Sequence, residues 1–334
     1  MGTIRISESD LLDIVSEEVA CSCGVLLTDR NIAAIASRYE IDEVNGLSRA
    51  QDRVVRVRSE ELEEAVVNLR KAIGNLPDAK PGIFIAMDKL VEMSERGVNV
   101  KRIGEAYLAI SQSGKYASVS EEATEEIISI SGAQKLDVCE FLVAVAEMQN
   151  RNVNFLYPHM TRKSWDGAVA LDNLFHGEHI PNDPAVYLDQ RFVDYLAQNG
   201  EDIEKMHWRN FERLATEFFR RRGYEVELGP GTRDGGRDVR VWTGRDSRSG
   251  PPLLLIQCKR HKTGNVVGVE TIKALWADVS FEGAEKGLIA TTSGVSRDGR
   301  KLCEIRKWPM SFAQAADVQR WARSMWRHAP TVGE

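Results

Sequence analysis

Two short segments, residues 231–241 and residues 253–259, constrain the fold of this chain more than any other part of its sequence. The second reads Leu-Leu-Leu-Ile-Gln-Cys-Lys, and its apolar run is typical of a strand that is buried on both faces. Side chains alternate along a strand, so Gln257 and Lys259 share one face. A buried lysine is costly unless it is paired, and Asp238, which follows a glycine-rich turn, is the natural partner. The pattern therefore predicts that a carboxylate, an amide and an ammonium group meet at the end of two adjacent strands.

The sequence around these two strands has the periodicity of further helices and strands. Apolar residues recur at i, i+3, i+4, i+7 and i+8 from Phe211, which predicts an amphipathic helix with Glu212 beside its apolar stripe. Strands are predicted at residues 224–228 and 287–293, and helices at residues 266–279 and 297–305. The predicted order is helix, three strands, helix and strand, followed by a last helix.

An aspartate on one strand followed by Gln-x-Lys on the next resembles the PD-(D/E)xK nuclease arrangement, and more narrowly the Mrr-type restriction endonuclease catalytic domain. The resemblance rests on Asp-Gly-Gly-x-Asp at residues 234–238, on Gln-Cys-Lys at residues 257–259, and on the order of the flanking elements. It covers residues 206–305. It implies a C-terminal α/β domain with the restriction-endonuclease-like fold, in which helices flank a mixed central sheet.

The resemblance also implies a metal-dependent deoxyribonuclease, with the catalytic residues Glu212, Asp238, Gln257 and Lys259. Asp238, the amide oxygen of Gln257 and the backbone carbonyl of Cys258 would hold Mg²⁺, or Mn²⁺ in its place. Glu212 would act on the metal directly or through a water molecule, and Lys259 would orient the attacking water and stabilise the developing charge. The broader family usually has a carboxylate where this chain has Gln257, so weaker metal binding is expected here.

Several polar residues near the motifs allow more than one interpretation. Candidates for DNA contact are Arg233, Arg237, Arg260 and Lys262, although a basic run after a strand also fits a solvated face. The hydroxyl run Thr291-Thr292-Ser293 fits either a phosphate contact or a strand end. Asp234 is expected to shape the glycine turn. A purely structural ion pair between Asp238 and Lys259 is the alternative to a catalytic site.

Charge divides the chain into two parts. Residues 205–334 contain 24 Lys and Arg against 15 Asp and Glu, a net charge of +9, whereas residues 1–204 carry −15. A basic part suits a polyanion such as DNA, and an acidic part does not. We therefore expect an acidic helical domain at residues 1–157, which serves sensing, a protein partner or oligomerisation. A connector with one helix at residues 158–204 and a nuclease domain at residues 205–334 would follow.

Residues 1–157 have helical periodicity, which predicts an all-α N-terminal domain. Helices are predicted at residues 8–22, 28–39, 57–74, 83–96, 101–113, 119–131 and 134–149, with another at residues 185–199. Cys21-x-Cys23 and the pair His176 and His179 offer possible metal ligands. The cysteines fit a helix end better, and the histidines lie in a segment rich in glycine and proline that indicates a loop.

The remaining features concern location and role. The sequence lacks an apolar signal core and any apolar run near the ~20 residues that a membrane helix needs, and its five cysteines are scattered. A reducing cytoplasm without a membrane partner is expected. The predicted function is Mg²⁺-dependent cleavage of DNA, in restriction or antiviral defence, by a homodimer or higher oligomer. Repair or junction processing and a non-cleaving DNA-binding module are the alternatives.

Overall fold

The computed structural model describes residues 3–76, 82–113, 120–156, 167–181, 183–231, 237–261 and 264–327. The chain divides into two compact units, one formed by Met1–Pro77 with Trp165–Glu334 and the other by Asp78–Ser164. The sequence predicts that the chain divides by function after residues 157 and 204. That functional division stays a prediction.

The described residues form thirteen α-helices and eleven strands. The helices are α1 (Glu8–Cys23), α2 (Asp29–Tyr39), α3 (Ser59–Ala72), α4 (Gly82–Glu95), α5 (Val100–Ser113), α6 (Glu121–Ser131), α7 (Lys135–Leu156), α8 (Leu171–Phe175), α9 (Gln190–Gln198), α10 (Trp208–Arg221), α11 (Val269–Glu282), α12 (Arg297–Arg306) and α13 (Ala315–Ser324). The strands are β1 (Thr3–Ser7), β2 (Val25–Leu26), β3 (Val54–Arg58), β4 (Val169–Ala170), β5 (Glu225–Leu228), β6 (Val239–Trp242), β7 (Leu254–Lys259), β8 (Val266–Val267), β9 (Lys286–Thr291), β10 (Gly294–Val295) and β11 (Met310–Ala313). No helix in these ranges is long and apolar enough to cross a membrane.

The N-terminal part is helical, as predicted, and its helix ends follow local sequence signals. The Ser7 side chain caps α1 by accepting from the Asp10 N–H, and the helix ends at Gly24, whose φ of 72° suits glycine. Thr28 and Asn31 form a capping box at the start of α2. Two small sheets, β1 with β3 and β2 with β4, accompany the helices. Their strands are only two to five residues long, and no sequence pattern indicated them.

The unit Asp78–Ser164 contains the helices α4 to α7. Its core is a separate apolar cluster in which Met93, Ile103 and Val138 are fully buried. An ion pair between Arg96 and Glu140, at 2.7 Å, lies at its exposed side. This unit therefore has the separate core that an independent helical module requires.

The C-terminal part of the other unit is built on a five-stranded mixed sheet in the order β11-β9-β7-β6-β5. The neighbours β5, β6 and β7 are antiparallel, whereas β7, β9 and β11 run parallel. This arrangement confirms the predicted endonuclease-like α/β fold. The strand β11 and the helix α13 extend it beyond the last element that the sequence predicted.

Alternation along β7 directs its side chains to two different cores. Ile256 joins the apolar cluster that includes Phe211 and Leu214 of α10. Leu255 joins the cluster formed with Ile272 and neighbouring residues of α11 and α12. The predicted strand parity is therefore confirmed, and it places Gln257 and Lys259 on the α11 side of the sheet.

Several element boundaries differ from the sequence prediction: α3 begins at Ser59 because residues 57–58 belong to β3, α7 continues to Leu156, and two further helices begin later than predicted. Val266 was assigned to a helix, but it lies in β8, which pairs in parallel with β10, and α11 begins at Val269. The helix predicted at residues 185–199 is shorter, because α9 begins at Gln190 behind its cap Asp189. In both cases a short apolar segment before the helix, Val266-Val267 or Ala185–Leu188, fits the helical period although it lies outside the helix.

Candidate active site

Asp238 immediately precedes β6 and lies against the end of β7. Its backbone N–H donates to the Ile256 carbonyl at 3.0 Å, and its Oδ2 accepts from the Cys258 N–H at 2.5 Å. The residue is only 6% exposed. Hydrogen bonds from backbone amides favour an ionised carboxylate. These hydrogen bonds therefore hold Asp238 in place beside β7, the strand that carries Gln257 and Lys259.

Gln257 carries the most unusual polar atom of this region. The residue is 4% exposed, and its Oε1 has no hydrogen-bond partner among the described residues. A buried acceptor without a partner costs about 1–3 kcal/mol, so native proteins rarely leave one without a reason. The register that pairs Val239 with Ile256 brings Asp238 next to Gln257 across the sheet. Gln257, whose amide oxygen is unpaired, is thus opposite Asp238 across the strand pair, an arrangement that suits a shared cation.

Lys259 is the last residue of β7 and shares the face of Gln257. It is half-buried, and its ammonium group makes no hydrogen bond or ion pair with the residues that the structure describes. The structural ion pair with Asp238 is accordingly not formed within those residues. The side chain is therefore available to act on a bound group.

Glu212 lies in the first half of α10 and is 5% exposed. Its Oε2 accepts a hydrogen bond from Arg209 Nη1 at 2.6 Å, one turn earlier on the same helix. The helix packs against β5, β6 and β7 through its apolar stripe, which keeps Glu212 on the protein side. The carboxylate is consequently buried on the α10 side of the sheet, near the end of β7 that carries Cys258.

Charged groups from three elements lie near the thiol of Cys258. Desolvation raises its pKa well above the ordinary value, the carboxylates of Asp238 and Glu212 raise it further, and Lys259 opposes them. Three charged groups from α10 and from the ends of β6 and β7 thus act on one sulfur atom. Asp238, Glu212 and Lys259 therefore all lie near the Cys258 thiol, and Gln257 is its neighbour in β7.

Hydroxyl residues at the end of β9 hold the backbone at the end of β7. Thr291 Oγ1 donates to the Lys259 carbonyl at 2.8 Å. Thr292 Oγ1 accepts from the His261 N–H at 2.9 Å and donates to the His261 carbonyl at 2.7 Å. The Thr291 and Thr292 hydroxyls bond to the backbone, which favours a strand end over a phosphate contact as the role of the run Thr291-Thr292-Ser293. They fix the backbone that carries Lys259.

The DNA-contact candidates occupy different surroundings. Arg237 forms an ion pair with Glu282 of α11 at 3.0 Å. Arg260 is exposed directly after Lys259, and its Nη1 donates to the Glu204 carbonyl at 2.9 Å. Arg233 and Lys262 lie outside the described residues, as does Asp234 of the glycine turn. Contact with DNA by these side chains stays a prediction.

The predicted metal ligands suit a hard cation with few protein donors. Within the described ranges, no group of three or more His, Cys, Asp or Glu side chains is placed to hold a metal. Two carboxylates and the unpaired Gln257 oxygen provide oxygen donors, and Mg²⁺ takes few such ligands and keeps several waters. The residues present therefore fit Mg²⁺, and they lack the nitrogen and sulfur ligands that zinc sites use.

The other possible metal ligands have structural surroundings. His179 Nε2 lies 2.9 Å from Asp189 Oδ2, in a loop as predicted. Cys23 is buried at the end of α1, its thiol donates to the Val19 carbonyl, and burial raises its pKa to about 11. A thiol with so high a pKa is a poor metal ligand and a poor nucleophile.

Three polar residues of α10 were not singled out by the sequence motifs. Arg209 holds Glu212, and a Cβ placed on Gly231 would lie 2.8 Å from its Nη1, so the glycine turn lies close to this guanidinium. Asn210 and Arg213 are buried and donate to carbonyls of residues 174–179, which anchors the start of α10. Of these contacts, the sequence indicates only the pair of Arg209 with Glu212, because residues at i and i+3 are neighbours on a helix.

Part of this chain is similar to known proteins. Residues 203–322 match the restriction endonuclease family through the profile of the Mrr catalytic domain. The uncharacterized protein y4cE of Sinorhizobium fredii is 25% identical over 124 residues, which are 37% of this chain and 31% of that protein. The DNA modification-dependent restriction endonuclease AspBHI is 24% identical with a TM-score of 0.29, over 43% of this chain and 36% of that chain.

A further similar structure is the MspJI restriction endonuclease in complex with a 27-mer oligonucleotide, with 17% identity and a TM-score of 0.33. That similarity covers 53% of this chain and 41% of that chain. The chain thus spans less than half the length of each of these relatives. The family match covers the mixed sheet, α10 and both motifs, so residues 203–322 of this chain are similar to the Mrr-type restriction endonuclease domain.

Proposed function

We propose that this chain is a Mg²⁺-dependent DNA endonuclease that hydrolyses phosphodiester bonds in restriction or defence against foreign DNA. The observation that carries the proposal is the unpaired Gln257 oxygen beside Asp238, with Lys259 on the same face and Glu212 buried nearby. Because they lie in a restriction endonuclease domain, these groups are best explained as parts of one phosphodiester-cleaving site.

Three protein atoms are assigned to the metal. These are a carboxylate oxygen of Asp238, Oε1 of Gln257 and the backbone carbonyl of Cys258, with Glu212 binding directly or through water. When bound, the ion polarises the phosphate and lowers the pKa of a coordinated water. Gln257 contributes no charge, so the site is expected to bind Mg²⁺ less tightly than a site with a second strand carboxylate.

Lys259 is assigned to the attacking water and to the charge that develops on the phosphate. Its ammonium group lies on the same face as the Gln257 amide, and the Thr291 hydroxyl holds its backbone. A fixed cation in a partly buried site stabilises a developing negative charge more than the same cation does in bulk water. Arg260, which follows directly, is assigned to the DNA backbone.

Cutting both strands of a duplex requires two active sites, or one site used twice. A homodimer or higher oligomer is therefore part of the proposal, as is a protein partner or target for the acidic helices. Repair or junction processing would differ from this proposal in the DNA substrate that is cut, and a non-cleaving module would differ in cutting no DNA. The cleavage assay described below distinguishes both.

The test is a cleavage assay of the full chain on supercoiled plasmid, modified and unmodified, in MgCl₂ and in EDTA. We expect cleavage in MgCl₂ only, and loss of cleavage in Lys259→Ala with an unchanged circular dichroism spectrum. Preference for branched oligonucleotides over plasmid would favour junction processing. If Lys259→Ala cuts at the rate of the parent, the assigned mechanism is wrong.

A further inference from the structure

The strands β1 and β3 form an antiparallel ribbon with one face made of arginines. The register pairs Arg5 with Arg56 and Thr3 with Arg58. Because side chains alternate along a strand, these residues share one face, and all four are exposed. We call Arg5, Arg56 and Arg58 the arginine face of the ribbon.

The opposite face of the ribbon is attached to the main core. Ile6, Val55 and Val57 pack against the apolar cluster that also contains Phe211 of α10 and Ile256 of β7. One continuous core therefore links the ribbon to the elements that carry the candidate active site. The arginine face is consequently turned away from this core, on a rigid support.

Electrostatics within the ribbon are unfavourable in the protein alone. Arg5 and Arg56 are directly opposite each other, and like charges in that position destabilise a strand pair. Neither forms an ion pair with a described carboxylate. Arg58 lies 4.0 Å from Glu61, at the limit of an ion pair.

Neighbouring arginines show the ordinary arrangement. Arg49 binds both Asp13 and Asp29, and Arg53 binds the buried Glu8. Residues 1–204 carry a net charge of −15, so acidic partners are abundant in this part of the sequence. The two unpaired arginines of the ribbon differ from these neighbours and lie directly opposite each other, and a ligand of opposite charge would relieve their repulsion.

We propose that the arginine face of β1 and β3 is a second DNA-contacting surface, which binds the phosphate backbone of the duplex that the candidate active site cuts. The inference rests on the proposed function. A ribbon of five-residue strands is about 17 Å long, and the DNA major groove, about 12 Å wide, admits a two-stranded ribbon. Arginine also forms paired hydrogen bonds with phosphate, which suits two guanidinium groups side by side.

The acidic surroundings give this surface a further property. The net negative charge of residues 1–204 disfavours non-specific contact with a duplex, whereas the arginine face favours it. The single apolar residue on that face, the exposed Val54, is too little for insertion into a membrane, which needs a broad apolar surface. Duplex DNA is the partner that charge and shape both favour.

The test measures binding of the full chain to a labelled 30-base-pair duplex between 50 and 300 mM KCl, in a Lys259→Ala background that prevents cleavage. Arg5→Ala combined with Arg56→Ala should weaken binding about 10-fold at 0.1 M salt and reduce the slope of log K against log salt by about 2. The matched control is Lys101→Ala with Arg102→Ala, which removes two exposed charges from α5 and should change neither value.

The outcomes separate this inference from the proposed function. If the background protein binds the duplex and the ribbon variant has the same affinity and slope, the second surface is refuted and the nuclease proposal stands. Equal losses in the control pair would also refute it. So would a ribbon variant that keeps its affinity for the duplex but loses binding to phosphatidylserine vesicles. If the background protein binds no duplex at 50 mM KCl, the proposed function fails first.

Folding of the variant is checked by thermal unfolding. Removing two opposed charges should leave the melting temperature equal or higher, whereas added duplex should raise it more in the background protein than in the variant. If the double variant does not unfold cooperatively, Arg56→Ala alone replaces it. A slope reduced by about 1 then supports the surface, and an unchanged slope refutes it.

Discussion

The second half of α10 and the end of β7 both bury polar side chains, but only those of α10 have hydrogen-bond partners among the described residues. Glu217 is fully buried and accepts from Arg220, Arg221 and the Tyr187 N–H, at 2.6, 2.6 and 3.0 Å. Gln257 is almost as buried, yet its Oε1 has no partner among the described residues. A polar cluster that serves only stability completes its own hydrogen bonds. The cluster at β7 is incomplete without a ligand, and that difference is what points to function.

The largest expected effect compares a carboxylate from each region. Asp238→Asn should reduce plasmid cleavage by about 10³-fold or more, because it removes the strand carboxylate assigned to the metal. Glu217→Gln should leave cleavage per folded molecule unchanged and lower the free energy of unfolding by about 2–3 kcal/mol, since two arginines lose their shared acceptor. Cleavage rates and urea unfolding of both variants check this. A loss of activity in folded Glu217→Gln that equals the loss in Asp238→Asn would remove the distinction between the regions.

A second change tests whether Gln257 is the position that a cation completes. Gln257→Glu should keep cleavage within about 10-fold of the parent and bind Mg²⁺ more tightly. Without metal it places a second buried carboxylate beside Asp238, which should destabilise the domain by about 1–3 kcal/mol. Thermal unfolding in EDTA and in MgCl₂ measures both effects, and Mg²⁺ should stabilise the variant more than the parent. Gln51→Glu, at an exposed turn, is the matched control and should show no gain from Mg²⁺.

A smaller effect is expected at Arg209, which positions Glu212 from the same helix. Arg209→Ala should lower the cleavage rate about 10-fold or more, as the loss of a residue that orients a metal ligand commonly does. The Mg²⁺ concentration for half-maximal cleavage should rise as well, which a purely structural role would not change. Arg209→Lys should recover part of both values, because it restores the charge without the planar hydrogen-bonding group. An unchanged Mg²⁺ requirement in Arg209→Ala would mean that Glu212 takes no part in binding the metal.

The sequence predicted the parts of the fold and site that depend on local pattern. The apolar run of β7, the stripe of α10 and the parity of Gln257 and Lys259 all follow from periodicity. The ribbon was not predicted because the helical period assigned to residues 57–74 overlaps β3, and because the pairing of β3 with β1 joins segments about fifty residues apart. A cross-strand pair of this kind is a property of the folded chain alone.

The same limit applies to the site. The spacing of Arg209 and Glu212 is visible in the sequence, but that this pair lies near the glycine turn at Gly231 depends on how α10 packs. The missing partner of the Gln257 oxygen is also invisible to local pattern. Motifs identified which residues carry the chemistry, and tertiary packing decides which of their atoms are left for a ligand.

The smallest expected effect concerns acid, and it returns to Glu217. Burial alone would raise the pKa of this carboxyl, but hydrogen bonds from Arg220, Arg221 and the Tyr187 N–H outweigh it and hold the pKa below its ordinary value of 4.5. A group whose pKa is lower in the folded state stabilises the fold above its unfolded pKa, and that contribution is lost as the pH falls through the folded pKa. The difference in unfolding free energy between the parent and Glu217→Gln should therefore be full at pH 7 and shrink below about pH 4.5. Urea unfolding from pH 7 to pH 3 measures it, and a difference that stays constant over this range would mean that Glu217 does not contribute through its charge.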